Sequence, residues 1–180
     1  MFVIAGLILL ALLLWVAIAF NLLIRDRNRV AQAWADVDVQ LTRRSDLIPR
    51  LVEIVRGYSG YERAVLGNIA ELRAQAAGAS PAARTEVERT MGGGLARMVA
   101  LAESYPDLKA SNNFRDLQAK LVDTENQIQY ARRYYNGAVN LFNSRMQKFP
   151  DLVIANSFGF KAAEFFDAEE KATAAPAVAL

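Results

Sequence analysis

The chain contains no cysteine and no histidine among its 180 residues. Without cysteine there is no disulfide framework, no thiol nucleophile and no sulfur to carry a lipid. Without histidine, the usual forms of the serine-hydrolase triad, the zinc hydrolase, the di-iron bundle and the histidine phosphotransfer domain are excluded. No Gly-x-x-x-x-Gly-Lys-Ser/Thr phosphate loop is present. Strong charge is also missing: the net charge is +2, whereas a nucleic-acid binder shows a basic face or stripe. The reading is therefore no catalytic residue, no metal, no cofactor and no nucleic acid. An extracytoplasmic site is neither required nor excluded, because many exported proteins lack disulfides. Helix breakers are scarce, with 10 glycines and 5 prolines, and none falls between Gly6 and Pro49.

What is present begins with residues 1–20, MFVIAGLILLALLLWVAIAF, which carry no charged side chain. At helical rise they span roughly 30 Å, about one hydrocarbon core. Ala17-Ile18-Ala19 fits a signal-peptidase site. However, there is no basic n-region, and the apolar run exceeds the usual ~7–15 residues, so a retained transmembrane anchor is expected. Trp15 and Phe20 suit a membrane interface. Arg25, Arg27 and Arg29 follow, opposed only by Asp26. The positive-inside bias places the remainder in the cytoplasm, with the extracytoplasmic side as the alternative. The chain divides into an anchor (1–20), a helical bundle (21–166) and a loose tail rich in small residues (167–180).

The expected fold class is all-α, with the anchor helix continuing into a long antiparallel bundle. Val30, Trp34, Val37 and Leu41 recur four and three apart, which makes a packing stripe. Pro49 is expected to interrupt or kink this helix, with Ser45 or Asp46 capping a restart. The stripe resumes at Leu51, Ile54, Tyr58, Tyr61, Val65, Ile69 and Leu72 despite Gly57, Gly60 and Gly67. Gly78-Ala79-Ser80-Pro81 reads as a turn with Ser80 as N-cap and Pro81 at the first helical position. A helix is expected over 82–104, with Val87, Met91, Leu95, Met98 and Ala102 facing inward. Its glycines 92–94 read as a tolerated helix interior in preference to a hinge. Tyr105-Pro106 ends it. The last long helix is expected from Ser111 or Asn112 to about Lys148. Its stripe is Phe114, Leu117, Leu121, Thr124, Ile128, Ala131, Tyr135, Val139, Phe142 and Met146. Phe149-Pro150 stops it. An aromatic cap with Phe149, Phe158, Phe160, Phe165 and Phe166 follows around a Gly159 turn. No internal repeat is visible.

Two clusters stand out. Arg43, Arg44, Asp46 and Arg50 surround the proline, and read as ion pairs and caps at a helix junction or as a partner or lipid-headgroup contact. Glu125, Asn126, Arg132, Tyr135 and Asn136 lie on the last long helix, where the two asparagines read as hydrogen bonds between helices. Asp36 and Asp38, two apart, point to different faces of a helix and make no acid/base pair.

At these residues the sequence resembles the LemA family of bacterial membrane-anchored proteins. The resemblance rests on DVQLTRRSDLIPRLVEIVRGY, ESYPDLKASNNFRDLQ, TENQIQYARRYYNGAVNLFN, and the FP and GFKAAEFF segments. They occur in order and cover nearly all of the chain after the anchor. The resemblance implies an N-terminal membrane segment, a long antiparallel bundle, a place in the bacterial inner membrane and no established enzymatic activity. One branch of the family is implicated in magnetosome membrane vesicles, which implies a membrane-organising role by analogy alone. Some relatives look like lipoproteins, which opposes the arginine signal. The motif positions matching Arg43, Arg44, Asp46, Pro49, Tyr58, Glu62, Tyr105, Pro106, Glu125, Asn126, Arg132, Tyr135 and Asn136 are intact. Arg50 and Tyr61 depart from the family's usual asparagine and histidine.

The expected function is a non-enzymatic, membrane-anchored scaffold that self-associates or organises a partner or the membrane surface. Its partners would be the bilayer, through the N-terminal helix, further copies of the chain and another membrane protein. An adaptor or sensor that binds a small ligand or a membrane protease is the alternative. An enzyme using carboxylates alone would need two acidic groups converging in a cleft.

Overall fold

The computed structural model describes residues 1–56, 80–103 and 105–166. Among these there is no strand, and all regular structure is helical. The elements are α1 (Phe2–Arg56), α2 (Pro81–Glu103), α3 (Pro106–Ala110), α4 (Asn112–Gln147) and α5 (Asp151–Ser157). The expectations at Tyr58, Tyr61 and Glu62, the stripe to Leu72, the glycines at 57, 60 and 67, the turn residues Gly78 and Ala79, and the tail lie outside the described residues. So do the side chains of Met98 and Ala102.

α1 is one helix of 55 residues, about 80 Å long at 1.5 Å per residue. The absence of helix breakers before Pro49 allows this. Pro49 itself does not end the helix, contrary to the expected interruption. It leaves the Ser45 carbonyl without its helical N–H, but it sits on the exposed face. Its neighbours Leu47, Ile48 and Leu51 are buried against α2, α3 and α4. Their burial, roughly 1.5–3 kcal/mol per side chain, matches or exceeds the cost of about 3 kcal/mol for an interior proline. Because no helix restarts here, Ser45 and Asp46 cap nothing.

The local signals at the other helix ends hold. Ser80 Oγ accepts the Ala83 N–H at 3.3 Å, and Pro81 opens α2. α2 runs through glycines 92–94 unbroken. Tyr105 is extended and Pro106 begins α3, a single helical turn that buries Leu108. α4 spans 36 residues, within a residue of the expected bounds. Its stripe is buried at Phe114, Leu117, Leu121, Thr124, Ile128, Tyr135, Val139 and Phe142, with Ala138 added.

α1 and α4 are antiparallel, since Asp26 meets Arg145 while Arg44 meets Glu125. They enclose two apolar cores. The first joins Ala19, Leu23, Val30, Ala33, Val37 and Leu41 of α1 to Ile128, Tyr135, Val139 and Phe142 of α4, closed by α5. The second lies further along α1 and includes Met91 and Leu95 of α2, Leu108 of α3 and Phe114 of α4. Trp15, Val16 and Phe20 already pack against the first core. Earlier residues of α1 are exposed, including Leu7, Ile8, Leu9, Leu10, Leu12, Leu13 and Leu14.

The aromatic cap forms around α5 and a non-helical strap, 160–166. Gly159 takes a φ of 67° at the turn between them, a backbone region that suits glycine. Phe160 and Phe158 flank Phe20, with ring centroids 5.8 and 4.9 Å away, and Phe166 meets Trp34 at 5.7 Å. Phe149, expected in this cap, projects outward instead.

Candidate functional site: a charged layer between two cores

The α1 stripe continues from Val37 and Leu41 through Arg44 to Ile48 and Leu51, keeping the four-three alternation. Arg44 therefore occupies a core position, and it is only 5% exposed. Two other helices answer it. The Arg44 guanidinium donates to the Glu88 carboxylate and, at 3.3 Å, to the Glu88 carbonyl. It also donates to Glu125 Oε2 of α4 at 3.1 Å. Arg84 extends the network. Its Nε donates to Glu88 Oε1 at 3.3 Å, and its other end bonds the Asp38 carboxylate. Gln129 Nε2 donates to Glu125 Oε1 at 3.2 Å. Two guanidiniums thus face three carboxylates in one layer, with fully buried Thr124 beside it.

A cleft of about 530 Å³ opens beside this layer, lined by Arg44, Gly92, Leu95, Val99, Leu121 and Glu125, among others. Its walls are mainly apolar, with one cation and one anion at the edge. Gln40 Oε1, Arg44 Nε and Ser45 Oγ are buried with no hydrogen-bond partner among the described residues. Glu88 and Glu125 do converge, but on a guanidinium that binds both, which leaves no paired acid and base. Among the described residues no three carboxylates gather as a metal site would require.

The model of the LemA family matches residues 33–180. This chain belongs to the LemA family. It is similar to protein LemA of Metamycoplasma hominis, at 26% identity, covering 83% of this chain and 69% of that protein. It is also similar to magnetosome protein MamQ 2 of Paramagnetospirillum magneticum, at 24% identity, and to magnetosome protein MamQ of Magnetospirillum gryphiswaldense, at 22%. It covers 58% of the length of each of these two magnetosome proteins. The exposed apolar start of α1, long enough to cross a bilayer, marks a membrane-associated member of the family.

In this LemA-family bundle the other expected residues have separate places. Arg43 is exposed and lies 3.7 Å from Asp123, a pair that adds little stability. Asp46, Pro49 and Asn126 are exposed, and Arg132 is half-buried. Tyr105 and Pro106 shape the α2–α3 turn. Tyr135 and Asn136 serve the strap. Tyr135 Oη donates to the Glu164 carbonyl at 2.7 Å. Asn136 donates to the Phe166 carbonyl at 2.8 Å and accepts the Phe166 N–H at 3.0 Å. Asn136 was expected to bridge helices; it holds non-helical backbone instead. Asn143, one heptad on, grips Ala163 in the same two-bond fashion, both at 2.9 Å. Burial, then the nearby Glu164 carboxylate, pushes the Tyr135 phenol up to about 12.

Sequence reasoning missed a second charged position. Asp26 sits on the α1 stripe between Leu23 and Val30 and is 1% exposed. Arg145 Nε donates to it at 2.6 Å and Nη1 donates to Asp151 at 3.1 Å, tying α1, α4 and α5 together. Burial alone would lower the Arg145 pKa; the bonds and charges of Asp26 and Asp151 outweigh it and raise it. The four-three spacing carried the signal for Asp26, Arg44 and Glu88 alike, since each falls where an apolar residue belongs.

Proposed function

We propose that the chain is a non-enzymatic, membrane-anchored helical scaffold. One observation carries the reading: the exposed apolar start of α1 passes without a break into the helix on which the whole bundle is built. A bundle joined to its anchor by a continuous helix is held at a fixed height and tilt above the bilayer, which suits presenting a surface to further copies or to another membrane protein. The anchor crosses once. The three arginines after it favour a cytoplasmic bundle. The magnetosome relatives support a membrane setting by analogy. Light scattering of the detergent-solubilised full chain tests self-association: a mass several times the 19.9 kDa of the chain is expected, and a monomer at every concentration would sink it.

A second reading, an adaptor or sensor, is favoured by the cleft beside Arg44 and Glu125. It predicts a small molecule that co-purifies in native mass spectrometry and is lost when Val99→Trp fills the cleft. Identical spectra with and without the substitution would remove this reading.

A further inference from the structure

We infer that α5 and the turn after it form a second membrane-contacting element, docked into the interfacial layer of the leaflet that α1 enters. The inference rests on α1 being a membrane anchor.

The height of α5 follows from its contacts. Asp151, at its start, shares Arg145 with Asp26. Phe158, at its end, stacks on Phe20 at 4.9 Å. α5 therefore descends alongside α1 from the level of Asp26 to that of Phe20, about 9 Å at helical rise. Phe20 closes the unbroken apolar run, with Asn21 next and Arg25 the first charge, so the tip of α5 lies where hydrocarbon gives way to headgroups. The strap then climbs away from this level, since its later residues bond Asn143 and Asn136.

The outer face of α5 carries large apolar side chains beside the polar Asn156 and Ser157, both exposed. Ile154 and Ala155 turn inward and are buried. Leu152 and Val153 turn outward and are exposed, and Phe149 and Phe158 flank them at 82% and 56% exposure. Single exposed apolar residues are ordinary, but four around one short helix form a patch. Lys148 and Lys161, both exposed, bracket it, as cations bracket helices that lie in a headgroup layer. The patch is continuous with the exposed apolar surface of α1 through the Phe20–Phe158 contact. That continuity points to the same lipid phase as its occupant.

The chain's lack of cysteine makes the test direct. Spin labels are placed singly at Val153→Cys, Phe158→Cys, Leu10→Cys and Lys109→Cys in the full chain, in vesicles of phosphatidylcholine with phosphatidylglycerol. Collisions with oxygen and with a water-soluble nickel chelate are compared by electron paramagnetic resonance. The expected result is a deep label at 10, an aqueous label at 109, and labels at 153 and 158 shallow in the bilayer with oxygen favoured several-fold over their value at 109. Labels at 153 and 158 as nickel-accessible as 109, with 10 still deep, would overturn the proposal and leave the anchor standing. An aqueous label at 10 would overturn the anchor and this inference together.

Discussion

At the scale of single residues, the bundle depends on charges placed in core positions and answered there. Breaking a buried pair by removing one partner leaves the other charge uncompensated, at a cost of about 3–5 kcal/mol. Arg44→Met should therefore lower the unfolding free energy measured by urea titration by an amount near the bottom of that range, because Arg84 still bonds Glu88. Adding Glu88→Gln should cost less than the two single effects summed, with a coupling of about 1–3 kcal/mol; strict additivity would show that the pair does not act as one. Tyr135 gives a pH signature. Its folded pKa lies above the ordinary value of 10.0, so the folded state holds its proton longer than the unfolded chain. Its contribution to stability is intact below pH 10 and is lost between pH 10 and about 12, by at most about 3 kcal/mol. Tyr135→Phe should be less stable by about 1 kcal/mol at pH 8, from the lost hydrogen bond. It should also lack this alkaline decline, so thermal melts of the two proteins converge or cross by pH 12.

At the scale of elements, charge fixes register and amide side chains fix the strap. Asp26 and Arg44 have opposite sign; Asp26 lies within the first core, between Leu23 and Val30, and Arg44 lies beyond Leu41 at its far end. Sliding α4 along α1 by a heptad would take Arg145 from Asp26 and Glu125 from Arg44, as a polar residue at a seam position specifies register in coiled coils. Asn136 and Asn143 each offer the strap one acceptor and one donor. Asn143→Ala should speed hydrogen exchange at the Ala163 amide while Phe166 stays protected. The double variant with Asn136→Ala should open both, and unchanged exchange in the double variant would refute the clamp. The sequence shows α2 and α4 almost to the residue, because Ser80-Pro81, Tyr105-Pro106 and Phe149-Pro150 are local signals. It misleads at Pro49, where burial of Leu47, Ile48 and Leu51 carries the helix past a local breaker. The strap contacts and the Asp26–Arg145 pair join residues far apart in the chain, and no local pattern announces a partner. Arg44 was visible as a charged residue. Its partner Glu88 was not, because it reads as an ordinary surface glutamate until the stripe is followed through it.

At the scale of the whole molecule, one helix sets the arrangement: α1 is at once the apolar run, the spine of both cores and the carrier of two buried charges, Asp26 and Arg44. No hinge separates the apolar segment from the bundle. Distance measurement by double electron–electron resonance tests it most directly. Labels at Leu10→Cys and Val39→Cys, both exposed, are separated on a continuous helix by about 44 Å at 1.5 Å per residue. In vesicles a single narrow distribution near that distance is expected. A broad distribution, or a mean shorter by about 10 Å or more, several times the rise per residue, would contradict it.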